Sequence, residues 1–423
     1  MSNTETVKRK VQSAFAYVIS FIKWSAIAVI TGTLGGITGT AFHLTIEFVT
    51  KFRTEHPFTL YLMPLGGVLI VFLYRICKME VDPGTNLVLT SVRSEKNGVP
   101  LRILPLIFVS TAISQFTGAS AGREGAAIQM GGSLATRLGR IMRLKEKSIP
   151  IIMICGMSSV FSALFGTPLT ATLFAIEVIS VGIMYYSALF PALLSSLISA
   201  RISKTFGAEP IRFALKAAEQ TDPLNLLRSA AVGLCCAVVS IAFCYALKYS
   251  KIWIGKLFKN PYVKALAGGA FLIALTLISG SRRYNGAGYD VLSEIINTGE
   301  ALPYDFILKI IFTSVSIAVG FKGGEIIPTL FVGASLGCAL GPLLGLNPSF
   351  AAALGFSALF CAMVNCPVSA LILSIEVFGS SSLPLFACAI FVSYAMSGYY
   401  GLYSDQKIMY SKLLAEHIGI RAK

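Results

Sequence analysis

Residues 121–139 read AGREGAAIQMGGSLATRLG, and residues 321–341 read FKGGEIIPTLFVGASLGCALG. In each stretch a glutamate follows a glycine-rich break and opens an apolar, glycine-spaced segment: Glu124 in the first and Glu325 in the second. The pattern predicts two helices with an acid in the first turn and with unpaired backbone N–H groups at the helix start. Helix starts attract anions, and carboxyl groups can carry protons. The two stretches therefore predict one anion and proton site.

The composition places these glutamates in a membrane. Of the 423 residues, 55% are hydrophobic and 13% are charged, and the mean hydropathy is +0.74, whereas soluble domains are about 25% charged. Several apolar runs are shorter than the roughly 20 residues of a simple span, and Gly and Pro interrupt them, which is typical of discontinuous helices. The sequence predicts an all-α polytopic membrane protein. An ionisable group at that depth is functional by default.

The net charge of +15 lies mostly in connections and tails. Basic residues occur at Lys8–Lys10, at 140–147 and at 248–259, and their position near helix ends predicts cytoplasmic anchoring beside anionic lipid. They are not interleaved with aromatic residues on a soluble face, so we expect no nucleic-acid partner. A basic surface also gathers anions.

The sequence gives little support for a metal site, a nucleotide site or a hydrolase. His43, His56 and His417 are scattered without metal-ligand spacing, so we expect no metal site and no cofactor. The glycine runs at 131–132 and 333–337 do not satisfy a phosphate-loop pattern, and their apolar surroundings predict close helix packing. No candidate Ser or Cys nucleophile has a nearby histidine in a recognisable motif. We therefore expect a protein that is not an enzyme.

The chain contains an internal repeat. Residues 167–178 (TPLTATLFAIEV) match residues 366–377 (CPVSALILSIEV), with Glu177 aligned to Glu376, at an offset of 199 residues (366 − 167). Residues 131–139 match 333–341 at an offset of 202 residues (333 − 131). A repeat of this length is half of a transporter, because solenoid units are only about 20 to 50 residues long. The duplication of Glu177 and Glu376 predicts a shared packing or helix-end role, not a site.

The repeat divides the chain into five predicted parts. Residues 1–24 form a cytoplasmic N-terminal segment, 25–203 the first membrane half-repeat, 204–225 a polar linker, 226–405 the second half-repeat and 406–423 a short tail. An odd number of membrane crossings in each half would invert one half relative to the other. We expect inverted halves.

Gly122-Arg123-Glu124-Gly125 and the glycine-rich helix after it resemble the signature of the CLC family of chloride channels and proton-coupled anion antiporters. Residues 323–328 (GGEIIP) occupy the place of that family's second glycine-proline motif, and residues 401–404 (GLYS) resemble the segment that carries its anion-facing tyrosine. The resemblance covers nearly the whole chain. It implies a CLC-type fold of two half-repeats with discontinuous helices that meet at a central anion site.

Two departures narrow the resemblance. Chloride-type members usually carry Gly-Ser-Gly-Ile-Pro where this chain has residues 84–88, GTNLV, so the serine anion ligand is absent. Proton-coupled chloride members tend to have a relay glutamate at the position of Val178, which this chain lacks while it gains Glu325. Both features resemble the fluoride/proton antiporter branch, although that branch commonly has Met where Thr85 stands.

The resemblance assigns gating and proton coupling to Glu124 and Glu325. The anion-binding residues that it implies are Thr85, Asn86, Gly122, Arg123, Gly125, Ile326, Ile327 and Tyr403. Some have plainer interpretations: Glu124 and Glu325 as helix-dipole or capping acids, Arg123 as a buried anchor, Thr85 and Asn86 as caps, and Tyr403 as part of an interfacial aromatic belt. We expect Glu325 to be protonated during part of the cycle, because burial disfavours the charged form.

These features predict a multi-pass protein of the cell membrane that exports fluoride in exchange for protons. Its partners would be fluoride or chloride, protons, the lipid bilayer and a second copy of the chain in a homodimer. The alternatives are a chloride/nitrate-proton antiporter and a passive anion channel, because family channels also retain the gating glutamate.

Overall fold

The computed structural model describes residues 3–80, 84–94, 98–213, 215 and 219–423, with side chains from residue 15 onward. Within these ranges the regular secondary structure is helical apart from one small sheet. Parts of two predicted regions, residues 1–2 of the N-terminal segment and residues 214 and 216–218 of the linker, lie outside the description, as do the side chains of Lys8–Lys10.

The first half contains eight helices in the described ranges: α1 (Asn3–Glu55), α2 (Met63–Ile76), α3 (Thr85–Ser94), α4 (Ile103–Thr117), α5 (Glu124–Ile141), α6 (Ile149–Phe165), α7 (Pro168–Glu177) and α8 (Leu189–Thr205). The second half contains α9 (Pro223–Leu257), α10 (Pro261–Ser279), α11 (Tyr289–Thr298), α12 (Asp305–Val319), α13 (Ile326–Leu344), α14 (Pro348–Val364), α15 (Pro367–Phe378) and α16 (Leu383–Met396). The helix α1 runs without a break through the predicted boundary at residue 24. The four boundaries between the five parts stay a prediction.

Six helical segments of the described chain are long and apolar enough to cross a membrane: Phe15–Glu55, Pro57–Ile76, Glu146–Phe165, Pro223–Leu257, Pro261–Ser279 and Ile326–Leu344. Five further apolar helices are shorter, such as α4 and α14. Two of them, α7 and α15, pack against each other, and glutamate side chains satisfy backbone N–H groups at both helix starts. The predicted multi-pass, all-α architecture is confirmed.

Glycines bring the central helices into close contact. A Cβ atom on Gly131 of α5 would overlap the backbone of Gly156 of α6, and one on Gly333 of α13 would overlap Gly355 of α14. The two pairs are equivalent in the two halves, and each lets one helix backbone touch the next, as small residues do in membrane helix packing. The predicted packing role of these glycines is confirmed.

The two halves are inverted relative to each other. The carboxylate of Glu177, at the end of α7, accepts hydrogen bonds from the amides of Val368 (3.1 Å) and Ser369 (2.9 Å) at the start of α15. Glu376 of α15 accepts the equivalent bonds from Leu169 (3.0 Å) and Thr170 (2.8 Å) at the start of α7. Because each helix end caps the start of its repeat partner, α7 and α15 are antiparallel. The predicted helix-end role of both glutamates is confirmed.

We expect Glu177→Ala to destabilise the protein by about 1–3 kcal/mol, because it leaves buried amide donors without an acceptor. Glu376→Ala should have a similar effect. Thermal unfolding of the detergent-purified protein measures the loss, and Glu146→Ala, at an exposed position between α5 and α6, is the control. A change in transport at unchanged stability would contradict a purely structural role.

Three short strands tie the chain's end to the first half. The strand β1 (Ser180–Val181) pairs in parallel with β2 (Lys407–Tyr410), which pairs in antiparallel with β3 (His417–Arg421). Residues 407–421, which the sequence predicted as a tail, thus form a structured part of the protein beside the segment that carries Tyr403.

Candidate functional site

A cavity of about 860 Å³ opens from one end of the helical bundle. Its wall is formed by the ends of α2, α9 and α12, the start of α10, and the segments 84–86, 320–325 and 401–404. Four of the predicted site residues line it: Thr85, Asn86, Glu325 and Tyr403. The fold thus brings together positions that are up to 318 residues apart in the sequence (403 − 85).

The cavity is strongly basic. Among the described residues that line it, the cations are Arg75, Lys248, Lys251, Lys264, Lys322 and Lys423, and the acids are Glu80 and Glu325. Lys322 lies over the ring of Tyr74, with Nζ 4.3 Å from the ring centroid. A recess lined mainly by one sign of charge concentrates ions of the opposite sign. The sequence predicted membrane anchoring for Lys248 and Lys251 and a basic surface that gathers anions, but it did not place them beside the site.

Two symmetric loops cross beyond the cavity. Gly122, before α5, and Gly324, before α13, form an antiparallel bridge in which each amide donates to the other's carbonyl. On either side, the amide of Ser120 donates to Ser316 Oγ (2.9 Å) and the amide of Lys322 donates to Ser114 Oγ (3.1 Å). Equivalent residues of the two halves therefore hold the starts of α5 and α13 against each other.

Glu124 lies at this crossing and is fully buried, with 0% exposure. Its carboxylate packs against Gly122 and Gly324, where any Cβ atom would overlap Oε2. The backbone amides of Arg123, Glu124 and Ile327 face the carboxylate, but neither oxygen has a hydrogen-bond partner within the described ranges. The carboxyl group of Glu124 thus occupies the position between two helix starts where an anion is stabilised.

Glu325 is the residue before α13 and is partly exposed to the cavity. Its carbonyl oxygen accepts hydrogen bonds from the amide (2.9 Å) and the hydroxyl (2.8 Å) of Thr329. Its side chain makes no capping hydrogen bond within the described residues. The carboxyl group therefore does not cap the helix, and it faces the cavity through which an ion would pass.

Thr85 and Gly125 lie side by side, since a Cβ on Gly125 would be 3.1 Å from Thr85 Oγ1. Thr85 is the first residue of α3, so its hydroxyl reaches the start of α5 from the cavity side. Asn86 Nδ2 donates to Ser404 Oγ (3.2 Å), and Asn86 Oδ1 accepts from the amide of Asp405 (3.2 Å). Asn86 thus fastens the segment of Tyr403 to α3.

Tyr403 is 97% buried and lies in the wall of the cavity. Contacts made by Leu402 before it and Gln406 after it hold this segment in place. The amide of Leu402 donates to the carbonyl of Met363 (2.7 Å). Gln406 Nε2 donates to the carbonyls of Val178 (2.8 Å) and Val364 (2.9 Å), which joins the two halves. This burial is unlike an interfacial aromatic belt, so the structure favours the interpretation of Tyr403 as a residue of the site.

Arg123 lies apart from the cavity. Its Nη2 donates to the carbonyl of Leu164 at the end of α6 (3.4 Å), which is the anchor role that the sequence left open. Of the remaining predicted residues, Ile326 begins α13 beside the loop crossing, and the amide of Ile327 faces Glu124.

Gln129 is a cavity residue that the sequence reasoning missed. It lies on α5 one turn after Gly125, lines the cavity and is 97% buried, and its Oε1 has no partner in the part of the chain that the structure describes. A buried polar group of this kind is usually satisfied by something outside the protein chain. The signal in the sequence was a lone amide in an apolar helix, five residues after the glutamate.

Comparison with known proteins agrees with this geometry. The family model for the voltage gated chloride channel matches residues 66–398. A chloride/fluoride channel protein from Pseudomonas syringae pv. tomato is 32% identical over 396 residues, which cover 92% of this chain and 87% of that protein.

Solved structures give the same result. A CLC-type fluoride/proton antiporter superposes with a TM-score of 0.88 at 31% identity, over 92% of this chain and 98% of that one. A slow cyanobacterial Cl−/H+ antiporter shares the fold, with a TM-score of 0.76 at 19% identity over 88% of this chain and 94% of its own. The resemblance predicted from the sequence is confirmed: the chain is a multi-pass membrane protein that belongs to the CLC family of voltage-gated chloride channels and their antiporter relatives.

Proposed function

We propose that this protein exchanges fluoride for protons across the cell membrane and thereby exports fluoride. The observation that carries the proposal is the unpaired, fully buried carboxyl group of Glu124 between the starts of α5 and α13. The 31% identity and TM-score of 0.88 to a CLC-type fluoride/proton antiporter support it.

Ionised Glu124 and a transported anion compete for the same place. Protonation from the outer side neutralises the carboxylate, so the anion enters from the cytoplasmic cavity while the protonated side chain turns away. Loss of the proton to the cytoplasm brings the carboxylate back and expels the anion to the outside. One carboxyl group thus couples the two fluxes without a large domain motion. The coupling needs a difference in anion affinity between the protonated and ionised states, because a ligand shifts an equilibrium only through such a difference.

Fluoride is small and strongly hydrated, so its site must replace lost water with short hydrogen bonds. The hydroxyls of Thr85 and Tyr403 and the amides of Ile326 and Ile327 are suitable donors near the crossing, and a neutral Glu325 would add an O–H donor. Gly122 and Gly125 let the backbone approach the ion. Asn86 and Arg123 act on the site by holding its segments, as their contacts with Ser404 and Leu164 suggest.

The distribution of charge indicates which end of the protein faces the cytoplasm. Lys248, Lys251 and Lys264 flank the connection between α9 and α10 at the mouth of the cavity, and positively charged connections face the cytoplasm. The cavity is therefore proposed as the cytoplasmic entrance for fluoride.

Exchange has an energetic advantage over passive flow. At about 100 mV one charge is worth about 2.3 kcal/mol, so a passive channel expels an anion against a gradient of roughly 50-fold at most. Outward fluoride and inward H⁺ move two charges in the same electrical sense. That is about 4.6 kcal/mol, or a gradient on the order of a thousandfold.

A passive anion channel is the second candidate, because the Pseudomonas relative carries the name of a channel protein. Proteoliposomes separate the candidates. With voltage clamped by a potassium ionophore, an imposed outward fluoride gradient should drive H⁺ uptake against its own gradient, and chloride should replace fluoride poorly. Anion flux without uphill H⁺ movement would establish the channel, and equal H⁺ movement with chloride or nitrate would replace fluoride as the substrate.

We also propose a homodimer with one pathway in each subunit. The helices α7, α8, α15 and α16 leave large apolar side chains exposed, including Leu169, Leu197, Val368 and Phe391, and a second copy would cover such a face. Cross-linking in liposomes at low protein density should yield dimers, and monomers alone would contradict this part of the proposal.

A further inference from the structure

Lys412 lies in the turn between β2 and β3, and its side chain extends into the protein. Its ammonium donates to Asn365 Oδ1 (2.6 Å) and Ser397 Oγ (2.8 Å), and Nζ lies 4.5 Å from the ring centroid of Tyr394. The residues that follow it in the turn, 413–416, are exposed, whereas Lys412 is partly buried. A side chain as flexible as lysine is thus held in one place by two acceptors and an aromatic ring.

The ammonium of Lys412 lies between the ends of two helices. Asn365 is the C-cap residue of α14, and Ser397 is the C-cap residue of α16. No carboxylate of the described chain forms an ion pair with Lys412. The negative ends of two helix dipoles stabilise a cation at this position, and the ring of Tyr394 adds a cation–π contact. The fold thus forms a cation site that a lysine of the chain's own tail occupies.

Asn365 connects Lys412 with the segment that carries Tyr403. It is fully buried, and its left-handed φ of 57° is a conformation that asparagine adopts more readily than most residues. Because an ammonium only donates, Oδ1 must face Lys412. The other end of the carboxamide, Nδ2, donates to the carbonyl of Tyr400 (3.1 Å) and to Gln406 Oε1 (3.1 Å). One side chain therefore joins the tail's lysine to both ends of the segment.

The contacts continue from Gln406 to the cavity wall. The amide of Gln406 donates to the carbonyl of Tyr403 (2.9 Å), and the carbonyl of Gln406 accepts from the amide of Ala422 (2.9 Å). Tyr403 and Ala422 both line the cavity. Lys412 is therefore connected to Tyr403 by three direct hydrogen bonds in series, which pass through Asn365 and Gln406.

We propose that Lys412 is a positioning residue of the transport site, because it holds Tyr403 in the cavity wall through Asn365. The inference rests on the proposed role of Tyr403 as a fluoride ligand. Without the ammonium, the carboxamide of Asn365 loses the contact that fixes it, and the segment of Tyr403 is less restrained. The hydroxyl of Tyr403 then loses more conformational freedom when it binds the ion, which lowers the affinity for fluoride.

Lys412→Met is the first test, since methionine keeps an unbranched apolar side chain but removes the cation. We expect the KM for fluoride efflux from proteoliposomes to rise about tenfold with little change in the maximal rate, because binding is weakened and turnover is not. Lys407→Met is the matched control. Lys407 is exposed on β2 of the same tail, so this variant should keep the wild-type KM.

The double variant Lys412→Met/Tyr403→Phe distinguishes positioning from a general loss of structure. Tyr403→Phe removes the hydroxyl and should by itself raise the KM for fluoride at least about tenfold. If Lys412 acts through that hydroxyl, its loss adds nothing further, and the double variant should have the KM of Tyr403→Phe alone. Independent effects on the structure would instead multiply the two increases in KM.

Asn365→Gly tests the same connection if Lys412→Met fails to yield monodisperse protein. Glycine adopts the left-handed backbone readily, so the change removes the bridge to the segment of Tyr403 but keeps the turn at the end of α14. It should raise the KM for fluoride in the same way as Lys412→Met.

A wild-type KM in Lys412→Met or in Asn365→Gly would overturn the inference, and so would a wild-type KM in Tyr403→Phe or multiplied effects in the double variant. The KM for anion efflux is measured without reference to H⁺. A wild-type protein that moves fluoride without H⁺ therefore overturns the proposed exchange, while these comparisons still decide the role of Lys412. If the substrate is chloride, the same comparisons are made on the KM for chloride.

Discussion

Glu124→Gln is expected to abolish proton coupling while fluoride still moves. The carboxamide keeps the shape of the side chain between Gly122 and Gly324 but never carries the negative charge that competes with the anion. Fluoride-driven H⁺ uptake should fall by about a hundredfold or more, the scale of losing a proton-transferring group. Fluoride efflux should continue as a passive, voltage-driven flow.

Paired recordings of fluoride with a selective electrode and of internal pH with a trapped dye measure both fluxes in the same liposomes. Glu146→Gln, at the exposed position between α5 and α6, controls for the loss of one carboxylate. Unchanged H⁺ uptake in Glu124→Gln would show that another group carries the proton.

Glu325→Gln should have the second largest effect. The side chain faces the cavity without a capping bond, so its carboxyl group is available to take up and release a proton between the cytoplasm and Glu124. The carboxamide still donates hydrogen bonds to an anion but does not exchange a proton. We expect fluoride-driven H⁺ uptake to fall at least about tenfold and fluoride binding to persist.

Glu80→Gln is the matched control for this variant. Glu80 lines the same cavity but pairs with Arg75 at 3.8 Å on exposed positions, where an ion pair contributes little. Coupling that survives in Glu325→Gln and fails in Glu124→Gln would leave Glu325 a hydrogen-bond donor only.

The sequence was sufficient to predict that Glu124 and Glu325 lie at two helix starts, because both halves repeat one local pattern. Glycine-rich breaks before Glu124 and Glu325 signalled helix starts, and the offsets near 200 residues signalled two halves. The same duplication separated Glu177 and Glu376 from the site. Each of these inferences used residues that are neighbours in the chain or equivalents in the repeat.

What remained hidden depends on contacts between distant segments. Nothing near Asn86 indicates its bond to Ser404, and nothing near Val178 indicates the bridge from Gln406. The tail residues 407–421 form a sheet with Ser180–Val181, which lies in the other half of the chain, so the local sequence does not indicate the pairing. Such placements follow from the packing of the whole bundle.

Lys309 had a signal that was overlooked. It is a single cation in an otherwise apolar run of α12, and such a residue inside a membrane helix indicates function by default. Its helix-face companions Asp305 and Thr313 are a turn away on each side, and Thr313 bonds Ser120, which lies 193 residues earlier in the chain. Only the fold supplies that contact.

The most direct test of the central claim is the H⁺ flux of wild type and Glu124→Gln under one fluoride gradient at zero voltage. We predict uphill H⁺ uptake in wild type and none in the variant, with fluoride efflux in both. Equal H⁺ uptake in the two proteins, or none in either, would contradict the competition between this carboxylate and the anion.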